Sequence, residues 1–87
     1  MEPNWADSLR EKLDQHYIWP SLYTFKFIVP QEKVAEVKKL FPKHESREKY
    51  SKNGKYISVT LQMMMPGSEE VIDVYNLASS VEGLIAL

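Results

Sequence analysis

Residues 53–65, with the sequence NGKYISVTLQMMM, decide the fold, because they predict a tight turn followed by one long β-strand. Asn53 and Gly54 are two neighbouring residues that tolerate positive φ, as the type I′ turn between twisted antiparallel strands requires. We therefore expect a β-hairpin here, with Lys52 and Lys55 facing each other across it.

Apolar and polar side chains alternate after this turn, which is the period of a strand with one buried face and one wetter face. A slip of one residue would drive the whole polar set into the core, so the register is well specified. The side predicted to be buried comprises Ile57, Val59, Leu61 and Met63, and the wetter side comprises Tyr56, Ser58, Thr60 and Gln62.

Further elements are predicted on both sides of this central strand. Residues 22–29 alternate in the same way and form the first strand. Residues 31–41 and 68–79 have the apolar spacing of amphipathic helices, and Ser68 is a good N-cap for the second helix. The remaining predicted elements are a charged edge strand at residues 44–51 and a short apolar strand at residues 84–87.

The order strand, helix, strand, strand, helix, strand predicts an α+β fold, the ferredoxin-like βαββαβ sandwich. Right-handed crossovers place the first and third strands in the centre of a four-stranded antiparallel sheet. The other two strands lie at its edges, and both helices cover one face. We assign residues 20–87 to this ferredoxin-like domain.

Residues 1–19 are expected to form a short amphipathic helix followed by an aromatic linker. Trp5, Leu9 and Leu13 recur every four residues between charged side chains, and Asn4 could cap the helix. We expect this apolar stripe to pack on the helix's own domain. The alternative is a stripe that meets a partner.

Composition narrows the class of protein. The 87 residues are 44% hydrophobic and 26% charged, and their net charge of −1 gives no long-range field to attract nucleic acid or an anionic membrane. The absence of cysteine excludes disulfides and thiolate chemistry and fits a reducing compartment. No apolar run approaches the roughly 20 residues of a membrane span, and the N-terminus lacks the apolar segment of a secretory signal. We predict a cytoplasmic protein without membrane contact.

Residues that could support catalysis do not occur in the required combinations. His16 and His44 lie in separate segments without metal-ligand spacing, so we predict no metal site. The three glycines lie in separate turns, so no loop can cradle a phosphate. We therefore predict no catalytic residues and no cofactor, and a protein that is not an enzyme. RNA-recognition modules share this topology but stack bases on two or three exposed aromatics, whereas Tyr56 is alone here, which makes nucleic-acid binding unlikely.

The sheet face opposite the helices is the candidate functional surface. It is mixed in character, neither a dry interface nor a plain solvated face. It could be a solvated face partly covered by the N-terminal helix, or a surface for binding or dimerisation. The residues predicted to lie on this interaction face are Thr24, Lys26, Tyr56, Ser58, Thr60 and Gln62.

Four segments of the chain resemble the YbeD-like family of small bacterial proteins. They are LYTFK (22–26), SKNGKYISVT (51–60), EVIDVY (70–75) and GLIAL (83–87). The resemblance implies a ferredoxin-like fold similar to the ACT regulatory domains, a bacterial cytoplasmic setting and no established biochemical function. ACT domains typically bind amino acids at a dimer interface through a glycine-containing loop after the first strand, where this chain has Pro30 and Gln31.

Three functions follow as hypotheses. The leading one is a non-enzymatic regulatory or protein-interaction module, which acts through self-association, as in a homodimer, or through a protein partner at the open sheet face. The alternative is an ACT-like sensor of a small ligand from amino-acid or lipoate-related metabolism, with Pro30 and Gln31 as its ligand loop. RNA binding is a third and weaker hypothesis.

Overall fold

A computed structural model describes residues 4–87 of the chain. Helices and strands follow one another in the predicted order. They are α1 (Asn4–His16), β1 (Ser21–Pro30), a 3₁₀ turn (Gln31–Lys33), α2 (Val34–Leu40), β2 (Ser46–Tyr50), β3 (Tyr56–Met65), α3 (Ser68–Ala78) and β4 (Ile85–Ala86).

The four strands form one antiparallel sheet in the order β2-β3-β1-β4. The two central strands pair without interruption, from Ser21 opposite Met65 to Pro30 opposite Tyr56. The short strand β4 pairs only with Phe27 and Ile28 of β1. This arrangement confirms the ferredoxin-like fold, with the first and third strands in the centre.

The hydrophobic core lies between the sheet and the helices, as the alternation in β1 and β3 predicts. One side of each central strand is buried, and the helices contribute valines from α2 and α3 to the same cluster. Phe25 lies at its centre with no exposed surface, and its ring meets that of Tyr75 at a centroid distance of 5.2 Å in an edge-to-face arrangement. The largest fully buried side chains are Phe25, Phe27, Val29, Val37, Ile57, Val59, Leu61 and Val71.

The predicted type I′ turn is wrong. Asn53 does not have positive φ; among the described residues only Gly54 and Gly83 do. The N–H of Gly54 donates to the carbonyl of Ser51 over 3.0 Å, and the strands close where the N–H of Ser51 donates to the carbonyl of Tyr56. Lys52 and Lys55 therefore lie in a four-residue loop and do not form a pair of the ladder.

Local side-chain hydrogen bonds explain this loop. The Oδ1 atom of Asn53 accepts hydrogen bonds from the Ser51 hydroxyl at 3.0 Å and from the N–H of Lys55 at 3.2 Å. Asparagine and serine side chains commonly compete in this way with backbone pairing. The register is nevertheless the predicted one. Tyr50 lies opposite Ile57, and the same antiparallel alignment continued into the loop would place Lys52 opposite Lys55.

Two helix starts also differ from prediction. The helix expected at residues 31–41 begins as a 3₁₀ turn, and its α-helical part covers only Val34–Leu40. Ser68 is the first residue of α3 and is buried, and no side chain caps this helix by a hydrogen bond. The cap predicted at Asn4 involves a side chain that lies outside the described part of the structure.

Helix α1 packs on α3, on the helical side of the sheet. Leu13 is buried in the core, and Nε of Arg10 lies 2.9 Å from Oε2 of Glu69 on α3. The prediction that α1 packs on its own domain is therefore confirmed. The idea that it partly covers the open sheet face is wrong, because its apolar stripe meets the apolar side of α3 instead.

An aromatic cluster follows α1 and covers the start of β1. The rings of Tyr17 and Trp19 stack at a centroid distance of 5.4 Å, and Tyr17 lies at the same distance from Tyr23. The indole N–H of Trp19 donates to Oδ1 of Asp14 over 2.9 Å. The linker therefore fixes the end of α1 to the first strand.

The hydroxyls of Tyr23 and Tyr75 lie 3.1 Å apart and share a hydrogen bond between β1 and α3. Burial, and then this hydrogen bond, raise the pKa of Tyr75 above its ordinary value. In the unfolded chain this phenol titrates near a pKa of about 10. Above that pH the unfolded chain loses a proton that the folded chain keeps, so the free energy of unfolding falls as the pH rises.

Tyr75→Phe is expected to remove this component of the pH dependence. At neutral pH the variant should lose about 1 kcal/mol of unfolding free energy, because one partly buried hydrogen bond is gone. Above pH about 10 its stability should decline less steeply than that of the unaltered protein. Urea unfolding across a neutral to alkaline pH series measures both effects. Parallel profiles for the two proteins would contradict the raised pKa.

Candidate interaction surface

The six residues predicted for the interaction face lie on one side of the sheet, opposite the helices. Thr24 pairs with Gln62 and Lys26 pairs with Thr60 in the ladder between β1 and β3. The side-chain amide of Gln62 also donates to Oγ1 of Thr24 over 3.4 Å. Alternation along β3 places the other two predicted residues, Tyr56 and Ser58, on the same side. The structure thus brings all six together, each exposed or partly exposed.

Strand β2 adds two cations to this face. Arg47 pairs with Thr60 on the side away from Lys26, so Thr60 lies between the two cationic residues. Lys49 follows two positions after Arg47 and pairs with Ser58. Paired Cα atoms lie about 5 Å apart, which puts the backbones of Lys26 and Arg47 about 10 Å from each other. We call Lys26, Arg47 and Lys49 the basic triad.

The basic triad has no ion-pair partner among the described residues. On the other side of the same strand, by contrast, Oε2 of Glu48 lies 2.7 Å from Nζ of Lys38. Glu45 precedes β2 and lies beside Arg47, where both line a depression of about 270 Å³ together with Thr60 and Gln62. The open face is therefore basic on a chain whose net charge is −1.

Aliphatic side chains border the basic triad at both ends of β1. Leu22 pairs with Met64, and these side chains are 53% and 62% exposed. Ile28 pairs with Ile85 of β4, which is 55% exposed. The face thus combines positive charge with exposed aliphatic surface.

The residues of this face that were missing from the predicted interaction set include Arg47, Lys49 and Ile85. A signal for the two cations was present, since the predicted hairpin register already places Arg47 opposite Thr60. Alternation along β2 would then have put both cations on the open side. No comparable signal existed for Ile85, because two residues are too short a strand to show a period.

The predicted ligand loop lies at the end of β1, beside the hairpin loop. Pro30 and Gln31 line an open cleft of about 460 Å³ together with Asn53, Gly54 and Tyr56. The N–H of Gln31, which a ligand would need as a donor, already donates to the carbonyl of Lys55 over 3.0 Å. The ligand-loop hypothesis stays a prediction with less support than the interaction face.

The helical side of the molecule has its own open groove of about 510 Å³. It lies between α1, α3 and the C-terminal strand, and Trp5, Leu9, Tyr75 and Leu84 give it an apolar lining. None of the residues predicted for function lines it. Residues 4–87 also bring together no group of three or more His, Asp or Glu side chains suited to a metal ion.

The fold and its exposed face define the class of protein, a small ferredoxin-like α+β domain with a basic sheet surface. The chain belongs to the family described as "Protein of unknown function (DUF493)", which matches residues 14–86. This finding confirms the resemblance to the YbeD-like proteins, which are the same family. No curated protein and no solved structure matches the chain. Within residues 4–87, none of the helices has the length and apolar character to cross a membrane.

Proposed function

We propose that the protein is a non-enzymatic interaction module that binds a protein partner through the open face of its sheet. The observation that carries this proposal is the unpaired basic triad surrounded by exposed aliphatic side chains. A sheet face that only contacts water does not require a cluster of unpaired cations, and it does not require exposed apolar pairs such as Ile28 with Ile85. Exposed apolar side chains beside polar and charged ones are instead typical of interaction sites.

The rigidity of this face supports the proposal. Lys26 and Thr60 belong to the two ten-residue central strands, whose opposite sides pack into the core. A surface that is already ordered loses little backbone entropy on binding, so more of the contact energy is available for affinity. The open face is in this respect better prepared for a partner than the hairpin loop at residues 52–55.

The setting and role of the module complete the proposal. A chain without cysteine suits the reducing cytoplasm, and we propose that the protein acts there, in a bacterial cell. Its role is regulatory, in that occupancy of the sheet face controls the availability of the partner. Binding of the partner and control of its availability require no catalytic residue.

Photocrosslinking in cells that naturally contain the protein tests the proposal. A benzophenone amino acid is placed at Thr24, on the open face, or at Gln15, on the exposed side of α1. Protein adducts of discrete mass are expected from position 24 and not from position 15. Equal adducts at both positions, or none at position 24, would contradict the proposal.

A further inference from the structure

We infer that the partner is an acidic protein segment whose carboxylates meet the basic triad and whose aliphatic side chains cover the neighbouring apolar pairs. This inference rests on the proposed function and names the chemistry of the partner. It excludes a second copy of this chain, bound face to face, and it excludes RNA.

The positions of the three cations define what a partner must supply. The backbones of Arg47 and Lys49 lie about 7 Å apart along β2, and Lys26 lies two strands away. Docking removes water from these groups, and a buried cation is unfavourable unless a carboxylate pairs with it. The planar guanidinium of Arg47 in particular can bind a carboxylate through two hydrogen bonds.

A face-to-face dimer of this chain does not meet that requirement. In a two-fold symmetric contact the same patch is present on both sides. A two-fold axis through the triad would set it against another triad, and like charges across an interface select against that pairing. Glu45 lies beside Arg47 and is a single carboxylate, so it cannot pair with all three cations at once.

The side chains around the triad favour protein over RNA. Single-stranded RNA gains much of its binding energy from bases stacked on exposed aromatic rings. The exposed apolar neighbours here are Leu22, Ile28, Met64 and Ile85, none of them aromatic. Tyr50 ends β2 and Tyr56 begins β3, so the two tyrosines lie together at one end of the face, where both line a depression with Ile28 and Lys49, and they form no aromatic row along the central strands. Aliphatic groups pack well against the aliphatic side chains of a protein. The net charge of −1 also gives no overall attraction for a polyanion.

Charge reversal on the open face tests the inference in the crosslinking experiment at position 24. Arg47→Glu with Lys49→Glu is compared with Lys12→Glu with Lys43→Glu, which makes the same change in net charge at exposed positions elsewhere. Charge reversal on the open face is expected to reduce the amount of adduct at least about tenfold. The control variant should change the amount of adduct by no more than about twofold. The crosslinked partner peptides should be acidic. Arg47→Gln with Lys49→Gln removes both charges and adds no repulsion within β2. This variant should lose an intermediate amount of adduct, which would show that the loss after charge reversal does not come from misfolding.

Three results of this experiment would overturn the inference while leaving the proposed function intact. They are an adduct that persists after charge reversal, an adduct that is a second copy of this chain, and crosslinked peptides that are basic or uncharged. Absence of any adduct at position 24 in the unaltered protein would instead contradict both.

Binding of defined probes to the purified protein provides a second test. A fluorescein-labelled peptide of alternating Glu and Leu is expected to bind at least about tenfold more tightly than its Gln and Leu counterpart. Added NaCl should weaken binding of the acidic peptide more than binding of the neutral one. Equal binding of the two peptides, or tighter binding of a labelled oligouridine, would overturn the acidic protein segment as the partner.

Discussion

Phe25→Ala is expected to lower the unfolding free energy by about 3–5 kcal/mol. The ring has no exposed surface and lies 4.7 Å from the ring of Tyr23, 5.2 Å from that of Tyr75 and 6.1 Å from that of Phe27, measured between centroids. Removing it leaves a cavity among these rings that the paired strands cannot close. Domains have a stability of only about 5–15 kcal/mol, so this single change should remove a large share of it.

Urea unfolding followed by circular dichroism measures this loss. Thr24→Ala is the matched control, since Thr24 is the preceding residue of the same strand and points to the open face. It removes a β-branched residue and the 3.4 Å hydrogen bond from Gln62, so the unfolding free energy should fall by no more than about 1 kcal/mol, well below the loss expected for Phe25→Ala. Similar losses for the two variants would mean that the two faces of β1 have been assigned incorrectly.

Leu13→Ala is expected to cost about 2–4 kcal/mol, because it removes the residue by which α1 joins the core. The Leu13 side chain is only 5% exposed and belongs to the same cluster as Phe25. The ion pair between Arg10 and Glu69 is exposed, so it contributes little to holding the helix. Most of the attachment of α1 therefore depends on its apolar stripe.

Lys12→Ala is the control for α1, because Lys12 precedes Leu13 and lies on the exposed side of the helix. Alanine suits a helix at least as well as lysine, so the free energy of unfolding should change by no more than about 0.5 kcal/mol. A loss below about 1 kcal/mol for Leu13→Ala, measured in the same urea titration, would mean that α1 is peripheral to the fold.

The fold could be predicted from the sequence because strand alternation and the order of elements are properties of local patterns. The alternation in residues 56–65 determined which side of β3 is buried, and the structure agrees. The register of the hairpin was also correct although its turn was not. Register depends on the burial of a whole strand face, whereas the turn depends on a few hydrogen bonds around Asn53.

The candidate surface could be predicted only in part. Residues of the two central strands, such as Lys26 and Thr60, were identified because their own alternation is clear. Arg47 and Lys49 required two inferences at once, the alternation of a short polar strand and its alignment with β3. The docking of α1 on α3 could not be read from an apolar stripe, because a stripe indicates that a helix is docked but not where.

The ladder between β1 and β3 also determines when the protein can fold as it is synthesised. Ser21 pairs with Met65, so a strand made early in translation finds its partner only after most of the chain is made. Until then α1, β1 and α2 have no complete sheet to pack against, and pairings this distant in sequence form slowly. We therefore expect the nascent chain to fold only once β3 is available to pair with β1, and the N-terminal half to lack stable structure of its own before that moment.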